Sequence, residues 1–169
     1  MEDKSKKQAQ HTARTGLPQR QNMPMEFWAG FKDYLASDFS TVKATAPQPQ
    51  CFNNLPPRWF DIDLVAVASS VNRLHNASEP GEIHAEVAMH GDNGEMYFQA
   101  PQRQKAAIEQ KCGENLNWYN KTPRKRRIFV RRDAALDDRG RWPEYFTRLQ
   151  SKLEKLHQAF ASRVKAIKE

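Results

Sequence analysis

Two cysteines in 169 residues, Cys51 and Cys112, are too few and too far apart for a disulfide framework or a zinc knuckle. Two ordinary reduced thiols are expected. No apolar run approaches the ~18 residues of a membrane span, so no membrane partner is expected. The opening MEDKSKKQAQ lacks the apolar stretch of a secretory leader, and a cytoplasmic location follows by elimination. Glycine is scarce, seven against ten prolines, which favours fixed turns over flexible linkers. No P-loop, dinucleotide fingerprint or Gly-x-Ser-x-Gly elbow is present, so no cofactor is expected. The glycines of His90-Gly91-Asp92-Asn93-Gly94 sit where a turn needs them. The histidines His75, His84 and His90 follow no His-x-x-x-His or Cys/His spacing, and no metal site is expected.

What is present describes one folded domain. The length suits a single domain, and hydrophobic residues make up 38%, with aromatics at 10% supplying much of the apolar volume. Residues 1–22 contain one large aliphatic residue, Leu17, among Lys, Gln, Thr and Arg. Such a segment buries too little apolar area to offset its ordering entropy. The expected organisation is a disordered basic tail over 1–22 and a single α+β domain over 23–169. The net charge of +7 favours polyanionic partners.

Apolar spacing gives the elements. Phe27, Trp28, Phe31, Tyr34 and Leu35 recur at helical intervals, so 25–37 reads as an amphipathic helix whose aromatic stripe belongs to the core. Residues 38–58, with Pro47, Pro49, Pro56 and Pro57, read as a loop. Residues 59–69 read as a strand. Residues 82–90 alternate Ile83, Ala85, Val87 and Met89 against Glu82, His84, Glu86 and His90, the pattern of a half-buried strand. Between them lies a strand end and a connection turning at Pro80-Gly81. Residues 95–112 read as a helix broken or begun at Pro101, with Gly113 at its C-cap. Two strands, 116–121 and 126–133, flank a turn at Thr122-Pro123. A long last helix carries Pro143 in its first turn and the stripe Phe146, Leu149, Leu153, Leu156, Phe160, Val164 and Ile167. The order α-β-β-β-α-β-β-α predicts a mainly antiparallel sheet of about five strands, packed by helices.

No catalytic residue is assigned. A restriction-endonuclease-like centre needs an acidic residue and a Glu/Asp-x-Lys on a central strand, so that carboxylates hold a metal and the lysine supports the attacking water. The one Glu-x-Lys, Glu109-Gln110-Lys111, falls in the predicted helix, and Glu86 is followed by no lysine. Asp61 and Asp63 lie two apart on a predicted strand, sharing a face. Paired carboxylates can hold a cation, but more often they form the solvent face of such a strand.

The strongest local signal is KTPRKRRIFVRR, 121–132. It holds seven basic residues in twelve: Lys121, Arg124, Lys125, Arg126, Arg127, Arg131 and Arg132. On a strand, Arg127, Phe129 and Arg131 share one face, and Arg126, Ile128, Val130 and Arg132 the other. Trp118 and Tyr119 lie on the preceding strand. Cations beside aromatics suit phosphate contact and base stacking. The plainer reading is an edge strand kept soluble by charge, with Asp133, Asp137 and Asp138 nearby.

A wider pattern joins these elements. It runs from Glu26-Phe27-Trp28 through Trp59-Phe60-Asp61-Ile62 to Ile83-His84-Ala85-Glu86-Val87. It continues with Lys105-x-x-Ile108-Glu109 closing at Gly113, then Leu116-x-Trp118, then Arg127-Ile128. Trp142-Pro143-Glu144-x-Phe146 opens a helix ending Phe160-x-x-Arg163-Val164. Over residues 25 to 168 the order and spacing resemble the bacterial and archaeal family named domain of unknown function 4268. The resemblance implies an association with restriction-endonuclease-like domains, to which members are often fused at the C-terminal side, and a link to DNA metabolism or defence. This chain would be the accessory half standing alone. The leading expectation is thus a non-catalytic nucleic-acid-binding or accessory module. Its predicted contacts are the seven basic residues above, with Trp118 and Tyr119 as stacking groups, and its predicted partner is DNA or RNA. The second expectation is a protein-interaction module that docks on a separately encoded nuclease or on itself through the last helix. The third is a divergent metal-dependent nuclease using Asp61, Asp63 and Glu86.

Overall fold

The last helix organises the domain. The computed structural model describes residues 19–70, 80–122 and 124–168, so residues 1–18 of the expected 1–22 tail, His75 and Pro123 lie outside the described residues. Helix α4 (Trp142–Lys168) carries one continuous apolar stripe. Phe146, Leu149, Leu153, Leu156, Ala159, Phe160 and Val164 along it are all buried. The stripe lies across β2 (Ile62–Ser69) and β3 (Glu82–Met89). It is therefore covered within the chain, which leaves the second expectation without the exposed helical stripe it called for.

The sheet has five strands in the order β1-β2-β3-β5-β4, with every neighbouring pair antiparallel. β1 is Phe52–Trp59, β4 is Asn117–Thr122 and β5 is Lys125–Asp133. After β3 the chain crosses through two short helices, α2 (Gly94–Gln102) and α3 (Lys105–Cys112), to reach the edge strand β4. The hairpin then inserts β5 beside β3. The expected α+β sheet of five strands is therefore what forms. The chain bends between α2 and α3 just after Pro101, and Gly113 closes α3 with φ 75°. That left-handed cap is open to glycine without a Cβ penalty.

Helix α1 (Gln19–Ser37) seats Phe27, Trp28, Phe31 and Leu35 in the core. It begins six residues before the expected start and takes in residues 19–22, which were assigned to the tail. Phe27 meets Trp28, Trp142 and Phe146 edge-on with centroids 5.0–5.3 Å apart. Trp28 Nε1 donates to the Gln50 carbonyl at 2.8 Å, and Trp142 Nε1 to the Leu136 carbonyl at 2.8 Å. Both indoles thus bury their rings with their one donor satisfied.

Two expectations fail in the first half of the chain. Residues 52–59 form a strand, not a loop. Pro56 and Pro57 fit because β1 is an edge strand and its register shifts between Leu55 and Trp59. The predicted strand over 59–69 is two elements: Trp59 ends β1, Phe60 turns at φ 56°, and β2 starts at Ile62. Asp61 therefore lies in the turn, where its carbonyl accepts from His90 N at 2.7 Å, and it does not pair with Asp63 along a strand. Among the described residues, no helix is long and apolar enough to cross a membrane.

Candidate functional site

Strand alternation sends the two halves of β5 to different fates. Ile128 and Val130 are buried on the side packed by the helices, and Arg126 and Arg132 share that side. Arg126 is buried and donates from Nε to Glu95 Oε2 at 2.7 Å, while Arg132 pairs with Glu144. Lys125, Arg127, Phe129 and Arg131 face the opposite side, as the spacing requires. There Arg131 Nε donates to Glu82 Oε2 at 2.9 Å and Arg131 Nη2 to Asp133 Oδ1 at 2.7 Å. Arg127 lies 3.5 Å from Glu86 Oε2, and its guanidinium sits 4.9 Å from the Tyr119 ring and 5.4 Å from that of Phe129. Lys125 Nζ stands 3.9 Å from Glu86 Oε1. Lys121 and Arg124, beside the β4–β5 turn, are exposed and have no carboxylate partner among the described residues.

The two aromatic candidates part company. Tyr119 is in register with Arg127, on the face away from the helices. Trp118, in register with Ile128, points to the helices, donates to Glu109 Oε1 at 3.0 Å and meets Phe98 edge-on. The Glu109 carboxyl is held below its usual value first by the Leu116 backbone N–H. It serves as an anchor for the chain leaving α3, and Glu-Gln-Lys is helical as expected.

The face of the sheet away from the helices carries a cavity of about 240 Å³. In-register rows run across it: Phe52, Val67, His84 and Arg131, then Asn54, Val65, Glu86, Phe129 and Asn117, then Asp63, Ala88, Arg127 and Tyr119. Val65, Val67, Ala88 and Phe129 give it an apolar floor. Along the central strand Glu82, His84 and Glu86 project together, and all three are buried, at 1, 5 and 2% exposure. The alternation of β3 predicted a half-buried strand. All eight residues are buried, because β3 is central and its polar face is walled by neighbouring strands.

These groups hold one another. His84 and Glu86 are hydrogen-bonded, Nε2 to Oε2 at 3.1 Å. Burial raises the Glu86 pKa, but the His84 hydrogen bond and the charges of His84, Arg127 and Lys125 together bring it below its usual 4.5. An ionised carboxylate only accepts, so Nε2 carries the proton in that bond. Glu82 Oε1 lies 3.8 Å from His84 Nδ1, beyond hydrogen-bond range, and neither atom has a hydrogen-bond partner among the described residues. A depressed folded pKa means that Glu86 stabilises the fold in full above pH 4.5 and loses that contribution as pH falls through its folded value. Acid titration of unfolding stability should therefore show wild type falling more steeply below pH 4.5 than Glu86→Gln; parallel curves would contradict the pairing.

The other sequence candidates do not assemble. Asp63 reaches His90 at 3.3 Å, Glu86 is engaged by His84 and Arg127, and Asp61 stands in its turn. Among the described residues, no group of three His, Cys, Asp or Glu side chains could hold a metal ion. Cys112 is buried, and burial pushes its thiol up, away from nucleophilic use. Of the Glu82-His84-Glu86 row only Glu86 was named, as a metal-site candidate, because alternation tells which residues share a face, not whether that face is covered. Three titratable residues at alternate positions of a central strand were the available signal.

The family described as "Domain of unknown function (DUF4268)" matches residues 23–164. No curated protein and no solved structure matches the chain.

Proposed function

We propose, for a chain that belongs to the DUF4268 family and inherits no stated activity from it, a non-catalytic nucleic-acid-binding module whose binding surface is the sheet face away from the helices. The observation that carries this reading is the placement of Lys121 and Arg124. They are exposed, carry no carboxylate partner among the described residues and flank Lys125 at the rim of a face that also presents Tyr119, Arg127 and Phe129. Unneutralised cations can release counterions from phosphates. A tyrosine backed by a guanidinium offers a ring on which a base can stack. The +7 charge of the chain assists approach.

The proposed contacts are narrower than the basic run itself. Arg126, Arg131 and Arg132 already hold Glu95, Glu82 with Asp133, and Glu144, and Trp118 belongs to the helix side. Lys121, Arg124 and Lys125 are left for phosphates, with Tyr119 and Arg127 beneath them. A link to restriction or defence belongs to this reading as the setting in which an accessory nucleic-acid module would act.

Fluorescence anisotropy of labelled single- and double-stranded oligonucleotides against salt tests it. Three phosphate contacts predict a log–log salt slope of about −2 for single strands. Absence of binding at ~50 mM salt, where phosphate attraction is strong, would overturn the reading.

A further inference from the structure

The register of the sheet brings three connections to one end of it. Trp59 pairs with Ile62, Ile62 with Met89, and Met89 with Arg126. At that row and just past it lie the β1–β2 turn at Phe60, the chain leaving β3 at His90, and the β4–β5 turn with Lys121, Arg124 and Lys125. His90 N donates to the Asp61 carbonyl at 2.7 Å, which ties the first two together. Phe60 is the unusual member. Its φ of 56° is a left-handed conformation that a side chain with a Cβ resists and that glycine or asparagine takes more easily. Its ring is 79% exposed, so core packing does not account for it. Single exposed apolar residues are ordinary on a protein surface; what marks this one is its place. Three strand intervals of about 4.8 Å separate the two turns, about 14 Å in all. That distance is roughly four nucleotides at a stacked rise of ~3.4 Å.

We infer that single-stranded nucleic acid runs along this end of the sheet and stacks one base on Phe60. The inference rests on the nucleic-acid reading and specifies the form of its ligand. The phosphates lie on Lys121, Arg124 and Lys125, and the strand passes the His90 loop to reach the ring. Around Phe60 the charge is acidic. Asp61 follows it, Asp63 pairs with His90 at 3.3 Å, and Asp92 is exposed in the next loop. Those carboxylates disfavour phosphate there, so Phe60 acts through a base and not through the backbone. A base inside a duplex is stacked on both faces and has none to offer a protruding ring; an unpaired base does.

Anisotropy across salt with an oligothymidylate and an oligouridylate, each long enough to span both turns, tests this on the full chain. Phe60→Gly suits the left-handed backbone and removes only the ring. It should weaken whichever strand the wild type binds by about tenfold, within the range of one lost base–aromatic contact. The salt slope should stay unchanged, because no phosphate contact is lost. Phe60→Trp should restore wild-type affinity. Phe39→Gly is the control. Phe39 is also left-handed and is 94% exposed, but Asp38 and Ser40 tie its turn to Gln150 and Glu154 of α4, in the helix layer. Its loss should leave affinity unchanged. A long DNA duplex should bind wild type and Phe60→Gly alike. Thermal melts establish that each variant folds. A folded Phe60→Gly that binds single strands as wild type does, or an equal loss on the duplex or in Phe39→Gly, overturns the inference. The nucleic-acid reading is then judged separately, by the wild-type salt slope. Wild type that binds neither strand at ~50 mM salt, where phosphate attraction is strong, overturns both.

Discussion

Replacing Phe27 with alanine should lower the unfolding free energy by about 3–5 kcal/mol, the range for an aromatic deleted from a packed core. Phe27 is fully buried. Its ring meets Trp28 from its own helix and Trp142 and Phe146 from α4. Loss of the ring opens a cavity lined by three other rings, which are too large and too well packed to collapse into it. Each edge-on contact also carries roughly 0.5–1.5 kcal/mol beyond its buried area. Against a total stability of about 5–15 kcal/mol, the variant should melt on the order of 10 °C lower, given ~2–4 °C per kcal/mol in domains of this size. Urea and thermal unfolding measure both quantities. A loss below ~1 kcal/mol would mean that α1 is not docked on α4 as described. Binding at the sheet face should survive at temperatures where the variant is folded, because Phe27 lies on the helix side.

The second large effect concerns where charge is removed, not how much. Lys121→Gln with Arg124→Gln and Arg132→Gln with Arg141→Gln both lower the net charge by two. The first pair removes cations that have no carboxylate partner among the described residues. The second removes cations already paired with Glu144 on the helix side of the sheet. If phosphates lie across the β4–β5 turn, the first double variant should reduce the single-strand salt slope by about 1.4, at about 0.7 per lost contact, and weaken binding roughly tenfold at low salt, about 1.4 kcal/mol. The second should change the slope by less than half as much. Equal effects would show that only total charge matters and that the turn is no site. Because Lys121, Arg124 and Arg141 are exposed and Arg132 is half-buried, both variants should fold with stability within about 1 kcal/mol of each other, checked by the same urea titration.

How much of this could be read from the residues depends on what each pattern encodes. The stripe of α4 and the aromatic stripe of α1 are period-3.6 patterns with no competing reading, and both helices form. The alternation of 126–132 assigned those seven side chains of β5 to their faces, and Gly113 marked the end of α3 because a left-handed cap favours glycine. β1 was hidden by Pro56 and Pro57, since prolines exclude a central strand but not a bulged edge strand, and edge or centre is a tertiary property. The turn at Phe60 was hidden because a phenylalanine at φ 56° breaks no visible pattern; it merged two strands into one and placed Asp61 beside Asp63. The pocket was hidden for a third reason. Glu82, His84 and Glu86 are spaced as a solvent face would be, and only the insertion of β5 beside β3 encloses them. The same insertion supplies Arg127 and Arg131, so the basic run, striking as a patch in the linear sequence, is largely consumed by internal carboxylates.

The central claim is that ligand meets the sheet on the side away from the helices. Chemical-shift perturbation of the ¹⁵N-labelled protein with a short single-stranded oligonucleotide tests it most directly. The expected result is a continuous set of shifts over Tyr119, Lys121, Arg124, Lys125, Arg127 and the β3 residues His84 and Glu86, with the solvent side of α4 unmoved. Shifts confined to α4, or none at saturating oligonucleotide, would contradict it.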